Sequence, residues 1–109
     1  MIDSSLYDDP ELYDLLFAAE PAVIEFYLEQ ARRSDGPILE LACGTGEILL
    51  PIAQAGLSIV GLDASPNMLA RAQTKADAAG LRVQLVDGDM RTFELSRRFG
   101  LVFVASNSL

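Results

Sequence analysis

The sequence predicts an α/β domain, in which helices flank a parallel sheet and a helical segment precedes it. From Pro37 onward, short apolar runs alternate with segments of helical periodicity, which is typical of βαβ units with right-handed crossovers. A glycine-rich turn, Gly44-Thr45-Gly46, joins the first apolar run to the helix that follows it. With 109 residues, of which 50% are hydrophobic, the chain can bury the core of one domain at most.

Residues 1–36 form a separate helical segment in this prediction. Eight of the 16 acidic residues precede Arg32, the first basic residue, so the composition changes sharply along the chain. Asp9-Pro10 is a suitable start for a first short helix, and Glu20-Pro21 opens a second one. The second helix is predicted to end at Ser34-Asp35-Gly36.

Residues 37–109 form the second segment, in which four strands and two helices are predicted. Pro51 lies inside the first of these helices, where it forfeits a backbone hydrogen bond, so we expect a kink or a loose first turn there. The predicted elements are, in order, a strand from Ile38 to Ala42, a helix from Glu47 to Ala55, a strand from Ser58 to Leu62, a helix from Ser65 to Gly80, a strand from Arg82 to Val86 and a strand from Leu101 to Ala105.

Charge and composition argue against several classes of function. The net charge of -8 repels phosphate backbones and anionic membrane surfaces, so neither nucleic acid nor a membrane is an expected partner. Cys43 is the one cysteine and there is no histidine, which argues against a disulfide, a zinc cluster and a Cys/His nucleophile pair. No signal peptide and no apolar run of roughly 18 residues is found, so a soluble cytoplasmic protein is expected.

Three carboxylates stand at or near the ends of successive predicted strands: Glu40, Asp63 and Asp89. In a doubly wound sheet, ligands bind beyond these carboxyl ends. A carboxylate in a strand buried on both faces is costly unless it is paired, so Glu40 points to a ligand. Gly44 and Gly46 allow the backbone to approach that ligand closely, while Asp63 can accept both hydroxyls of a ribose. A ligand with an adenosine-like body is therefore predicted.

Three motifs, in this order, resemble those of the class I S-adenosylmethionine-dependent methyltransferases. Residues 40–46 resemble the acidic glycine-rich loop of that family, residues 61–69 its ribose-binding strand end and helix start, and residues 87–90 the segment that reads adenine. The resemblance runs from about Pro37 to the last residue and implies a Rossmann-like sheet of strand order 3-2-1-4. Further strands and helices of the family are absent, so we expect a truncated methyltransferase fold that holds the cofactor-binding half.

The resemblance also implies a binding site for S-adenosyl-L-methionine. No catalytic side chain is required, because the sulfonium is already an activated methyl donor and transfer depends chiefly on positioning. Tyr7 and Tyr13 could close over the cofactor as a lid. The residues implied for the cofactor are Glu40, Ala42, Gly44 and Gly46 around its methionine part, Asp63 at the ribose, Ala64, Met68, Asp89 and Met90 at the adenine, and Ser106 and Asn107 at the methionine end next to the reaction site.

The sequence departs from the family pattern within these motifs. Ala42 stands where a first loop glycine is common, which is a mild change if its dihedral angles are ordinary. Gly100 replaces an aspartate that is usual at the start of the fourth strand. Purely structural roles also remain open for three of these residues. Asp63 is then a turn residue or a helix cap, Asp89 a turn residue and Met68 a core residue.

Two other functions remain open beside methyl transfer to a small-molecule acceptor. A nicotinamide-dinucleotide dehydrogenase shares the strand, the glycine loop and the distal acid, but Leu49 stands where its fingerprint needs a small residue. A binding or interaction module without turnover is the other alternative. In that case the exposed backbone groups of the strand 101–105 would favour self-association.

Overall fold

A computed structural model describes residues 8–16, 18–89 and 98–105. Its four strands form one parallel sheet in the order β3-β2-β1-β4, which confirms the predicted fold class and strand order. The elements are α1 Pro10–Leu16, α2 Pro21–Arg32, β1 Ile38–Leu41, α3 Leu49–Gln54, β2 Ile59–Asp63, α4 Pro66–Ala78, β3 Gln84–Asp87 and β4 Leu101–Val104.

The strand register brings two of the predicted carboxylates, Glu40 and Asp63, to the same end of the sheet. Glu40 lies in β1 opposite Gly61 of β2 and Phe103 of β4. Asp63, the last residue of β2, lies opposite Asp87 of β3. All pairs are parallel, so the carboxyl ends of the strands meet at the same edge, where ligands of doubly wound sheets bind.

Side chains that alternate along β1 and β2 build two core clusters. Ile38 and Ile59 lie in the larger cluster, together with Leu28 of α2 and Ile52 of α3. The smaller cluster consists of Leu39, Val60 and Leu62, with Leu41, Val86 and Phe99 packed against it. The segment before the sheet therefore contributes to the same core as the first βαβ unit.

Side-chain caps fix where two of the helices begin. Asp9 Oδ1 accepts the Leu12 N–H at 3.1 Å, which confirms Asp9 as the cap of α1. Ser65 Oγ accepts the Met68 N–H at 3.3 Å at the start of α4. Among the described residues, no helix has the length and apolar character needed to cross a membrane.

The helix after the glycine-rich loop begins later than predicted. α3 starts at Leu49, so Pro51 is its third residue and lies in the first turn, where backbone N–H groups have no intrahelical acceptor. Pro51 has no N–H to donate between the neighbouring bonds from Leu50 to Gly46 and from Ile52 to Ile48, so the expected kink or loose first turn stays a prediction. The Leu50 N–H bonds to the Gly46 carbonyl at 2.9 Å, which joins the loop to the helix.

Candidate functional site

A cavity of about 230 Å³ lies between the glycine-rich loop and the helical segment that precedes the sheet. Tyr13, Glu20 and Val23 line it from that segment, and residues 42–45 line it from the loop. Glu40 of β1 also lines the cavity, so the first of the predicted site residues faces a space that a ligand can occupy.

Glu40 is buried in this cavity with one unsatisfied oxygen. Its side chain belongs to a residue that is only 2% exposed, and Oε1 has no hydrogen-bond partner among the described residues. Burial and the nearby charge of Asp63 raise the pKa of Glu40 well above its ordinary value, although the Leu49 backbone N–H opposes this rise. A cationic or hydrogen-bond-donating group of a ligand would satisfy this oxygen.

Residues of the glycine-rich loop repeatedly adopt the left-handed backbone conformation. Gly44 has φ +58° and Gly46 has φ +86°, so the expected tight turn is present. Ala42 has φ +53°, so its dihedral angles are not ordinary and the condition under which alanine would be a mild change at this position is not met. The Cβ atom of a non-glycine residue in this region costs roughly 1–2 kcal/mol. This backbone also explains why β1 ends at Leu41 and not at Ala42.

Asp63 holds the glycine-rich loop and the start of α4 in place. Its Oδ2 accepts the Gly44 N–H at 2.7 Å, and its Oδ1 accepts the Ser65 N–H at 2.8 Å. Asp63 does not line the cavity described above. Each carboxylate oxygen has a second lone pair, so the predicted ribose contact is compatible with these bonds and stays a prediction.

The remaining predicted residues lie in the core, away from the cavity, or outside the described residues. Met68 is 1% exposed and its Cε lies 3.4 Å from where a Cβ on Gly44 would be, so it supports the loop from within the core. Ala64 is exposed and Asp89 half-buried, and neither of them lines the cavity. Outside the described residues lie Tyr7, Met90, Ser106 and Asn107.

The structure contains an ionic network that the sequence analysis missed. Asp14 of α1 accepts hydrogen bonds from the Thr45 hydroxyl, from Arg71 Nε at 3.1 Å and from Lys75 Nζ at 3.1 Å. Burial alone would raise the pKa of Asp14, but these three donors together lower it below its usual value. The partners lie 31, 57 and 61 residues away in sequence, so no local pattern joins them. The one available signal was the i,i+4 spacing of Arg71 and Lys75 on α4.

Local packing accounts for the glycine at position 100. A Cβ atom on Gly100 would lie 2.5 Å from Ser34 Oγ and 2.6 Å from the Gly36 nitrogen. A side chain therefore does not fit between the end of the helical segment and the start of β4. This contact explains the departure from the aspartate expected by resemblance.

The described residues show no cluster that suits a metal ion. Among them, no group of three or more His, Cys, Asp or Glu side chains is arranged to hold one. Cys43 is 6% exposed, and burial raises the pKa of its thiol well above the ordinary value. The thiol thus behaves as a small buried apolar group.

Comparison with known proteins places this geometry in a family. A family model described as a methyltransferase domain matches residues 38–109. The dTDP-3-amino-3,6-dideoxy-alpha-D-glucopyranose N,N-dimethyltransferase of Streptomyces fradiae is 33% identical in an alignment 106 positions long, which covers 91% of this chain and 40% of that protein.

Solved structures agree with the family match. The CcbJ methyltransferase from Streptomyces caelestis has a TM-score of 0.73 and 33% identity, over 82% of this chain and 37% of that chain. The glycopeptide N-methyltransferase MtfA, complexed with (S)-adenosyl-L-methionine, has a TM-score of 0.65 and 36% identity, over 78% of this chain and 37% of that one. This chain spans 40% or less of the length of these proteins. The predicted Rossmann-like fold and the resemblance to class I S-adenosylmethionine-dependent methyltransferases are confirmed, and the chain belongs to the methyltransferase domain family.

Proposed function

We propose that this chain is the cofactor-binding part of an S-adenosyl-L-methionine-dependent methyltransferase that acts on a small-molecule acceptor. The observation that carries the proposal is the buried carboxylate of Glu40, which faces the cavity beside the glycine-rich loop and whose Oε1 has no partner in the described part of the chain. A buried acceptor in this state destabilises the fold unless a ligand supplies the missing donor.

The residues present fit that cofactor. Glu40 would accept from the cationic methionine end, and the Gly44 to Gly46 backbone would lie against the same part. Asp63 would accept from the ribose hydroxyls through the lone pairs that Gly44 and Ser65 leave free. The bound cofactor supplies an activated methyl group on a sulfonium, so the protein must orient it and exclude water.

At the adenine and at the reaction site, the proposal rests on the family resemblance. Ala64, Met68 and Asp89 would contact the adenine, and Met90 would donate its backbone N–H to the ring. Ser106, Asn107 and Ala42 would border the methionine end. Residues 1–36 would form the lid segment, and residues 37–109 the cofactor-binding half-domain.

The charge around the cavity supports a small methyl acceptor whose methylated group is not anionic. Among the described residues that line the cavity, Glu20, Glu40 and Glu47 are acidic and none is basic. The net charge of -8 further disfavours nucleic acid and anionic membranes as partners. The Streptomyces fradiae relative, whose name describes dimethylation of the amino group of a dTDP-linked sugar, supports a small molecule with an amine at the methylated position. A cytoplasmic location stays a prediction from composition.

Titration calorimetry with S-adenosylhomocysteine tests the cofactor site. The wild-type chain is expected to bind, and Glu40→Gln is expected to bind at least tenfold more weakly, because the charge that meets the cationic end is lost. Glu29→Gln is the matched control, since Glu29 forms an exposed ion pair with Arg33 at 3.1 Å. No binding by the wild-type chain, or equal binding by Glu40→Gln, contradicts the proposal.

The two alternative functions are separated by further measurements on the same chain. NAD in place of S-adenosylhomocysteine tests the dehydrogenase alternative, which is favoured if the chain binds NAD and does not bind S-adenosylhomocysteine. A methyltransferase assay with labelled cofactor and amine acceptors tests turnover. Turnover would exclude the non-catalytic module, whereas cofactor binding without turnover agrees both with that module and with a cofactor-binding part tested on its own.

A further inference from the structure

The first helix is attached to the glycine-rich loop through the side chain of Asp14. Its Oδ1 accepts the Thr45 hydroxyl, while its Oδ2 accepts Arg71 Nε and Lys75 Nζ, each at 3.1 Å. Only 13% of the Asp14 side chain is exposed. One carboxylate thereby joins three elements: α1, the loop and α4.

The loop side of this contact is a buried hydroxyl in the cavity wall. Thr45 is 2% exposed and lines the cavity. A buried hydroxyl needs a hydrogen-bond partner, and Asp14 provides it, with Lys75 Nζ a further 3.5 Å contact. Lys75 also pairs with Glu47 at 3.2 Å, and Glu47 accepts the Ala19 N–H at 3.4 Å. The same network thus reaches the connection between α1 and α2.

The position of α1 depends on contacts of this kind. The helix has seven residues, which is too short to be stable in isolation. Tyr13 is its one buried residue, while Leu12, Leu15 and Leu16 are 40%, 81% and 59% exposed. Tyr13 precedes Asp14 directly and lines the cavity that also contains Glu40. Any movement of α1 away from Thr45 therefore removes the Tyr13 wall of this cavity.

We infer that Asp14 is a positioning residue, which docks α1 on Thr45 and so keeps Tyr13 in the wall of the cavity. Arg71 and Lys75 hold the carboxylate in the orientation that Thr45 requires. The side chain acts through Tyr13 and Thr45 and does not touch the cavity itself. The expected effect on ligand affinity rests on the proposed cofactor site, whereas the docking of α1 does not.

Hydrogen exchange of the whole 109-residue chain without ligand tests the docking directly. Asp14→Asn is expected to accelerate exchange of the α1 amides, such as the Tyr13 N–H bonded to the Asp9 carbonyl, at least tenfold. Amides of β1 and β2 are expected to keep their wild-type rates. Glu11→Gln is the matched control: it removes an equal charge from the same helix, and Glu11 lies 3.9 Å from Arg71 and is exposed. Unchanged α1 exchange in Asp14→Asn overturns the inference.

Binding kinetics provide the second readout. For S-adenosylhomocysteine, Asp14→Asn is expected to raise the dissociation constant at least tenfold, mainly through faster dissociation, while Glu11→Gln stays within twofold of the wild type. Unchanged kinetics beside accelerated α1 exchange would limit Asp14 to a structural role and overturn its positioning role. Failure of the wild-type chain to bind overturns the proposed function, but leaves the exchange result to decide whether Asp14 docks α1.

A milder variant covers the case in which Asp14→Asn does not fold. Arg71→Gln keeps the hydrogen bond from Thr45 to Asp14 and removes one of the two cations that orient the carboxylate. It is expected to accelerate α1 exchange about threefold, with the β1 amides unchanged. Equal rates in Arg71→Gln and in the wild type would contradict the docking role.

Discussion

Replacement of Ala42 by glycine is expected to stabilise the chain, although this substitution usually has the opposite effect. Ala42 has φ +53°, and a Cβ atom in this region costs roughly 1–2 kcal/mol, which glycine avoids. Glycine in turn gives the unfolded chain more freedom, which costs about 0.4–1 kcal/mol. The loss of a half-buried methyl group costs a few tenths of a kcal/mol more. The balance for Ala42→Gly is a gain of about 0.5 kcal/mol.

A second substitution, Ala64→Gly, serves as a reference for the effect that glycine has on the unfolded state. Ala64 is exposed, lies outside the helices and strands, and has no positive φ. Ala64→Gly adds the same freedom to the unfolded chain without any relief of strain, so it is expected to destabilise by about 0.4–1 kcal/mol. The difference in unfolding free energy between the two variants then measures the strain at Ala42 and is expected to be about 1–2 kcal/mol.

Urea unfolding of the wild type and both variants, monitored by circular dichroism, measures these quantities. The comparison requires that the unfolding free energy falls with urea concentration at the same slope in all three proteins, because a changed slope reports a changed unfolded state. If Ala42→Gly destabilises the chain as much as Ala64→Gly does, Ala42 carries no strain and the left-handed conformation is not the native one.

Four other substitutions follow from the same structure. Glu40→Gln should gain stability relative to the wild type as the pH rises above about 4. The reason is that burial raises the folded-state pKa of Glu40, so that deprotonation of this residue destabilises only the wild type. A difference in the free energy of urea unfolding that does not change with pH contradicts this prediction. Asp63→Asn should lower the unfolding free energy by about 1–3 kcal/mol, since the backbone N–H of either Gly44 or Ser65 loses its acceptor. The same substitution should weaken cofactor binding tenfold to a hundredfold in calorimetry. Gly61→Ala should destabilise by about 1–3 kcal/mol, because its Cβ would lie 2.5 Å from a side-chain carbon; wild-type stability in urea would refute this overlap. Val102→Lys should reduce self-association through the edge strand β4, where Val102 is 50% exposed, and a wild-type chain that sediments as a monomer argues against that association.

The sequence predicted the sheet and most of its helices because their signals are local. Ser65-Pro66 marks the start of α4 within one turn, and the apolar runs of β1 and β2 reflect strands that are buried on both faces. Strand ends were less well predicted. β1 stops one residue early because Ala42 adopts a left-handed conformation, and nothing in an alanine side chain signals that conformation.

The candidate site was predictable where a single residue conflicts with its surroundings. Glu40 was identified because a carboxylate in an apolar strand is costly, and its unsatisfied oxygen agrees with that argument. Asp14 was not identified, because an acidic residue on a short helix is ordinary until its partners are known. Its importance arises from contacts with residues 45, 71 and 75, which only the folded chain brings together.

Glu40 and Asp63 show how one edge of a sheet can contain two carboxylates with different tasks. Asp63 is satisfied by two backbone N–H groups, so its charge is used to shape the loop before any ligand arrives. Glu40 lies close enough to feel that charge, and no donor within residues 8–16, 18–89 and 98–105 reaches its Oε1. The fixed carboxylate thus makes the free one harder to ionise, and a cationic group that enters the cavity relieves both the repulsion and the missing hydrogen bond. A cationic group of the proposed cofactor would therefore be favoured over a neutral group, which would supply only the hydrogen bond.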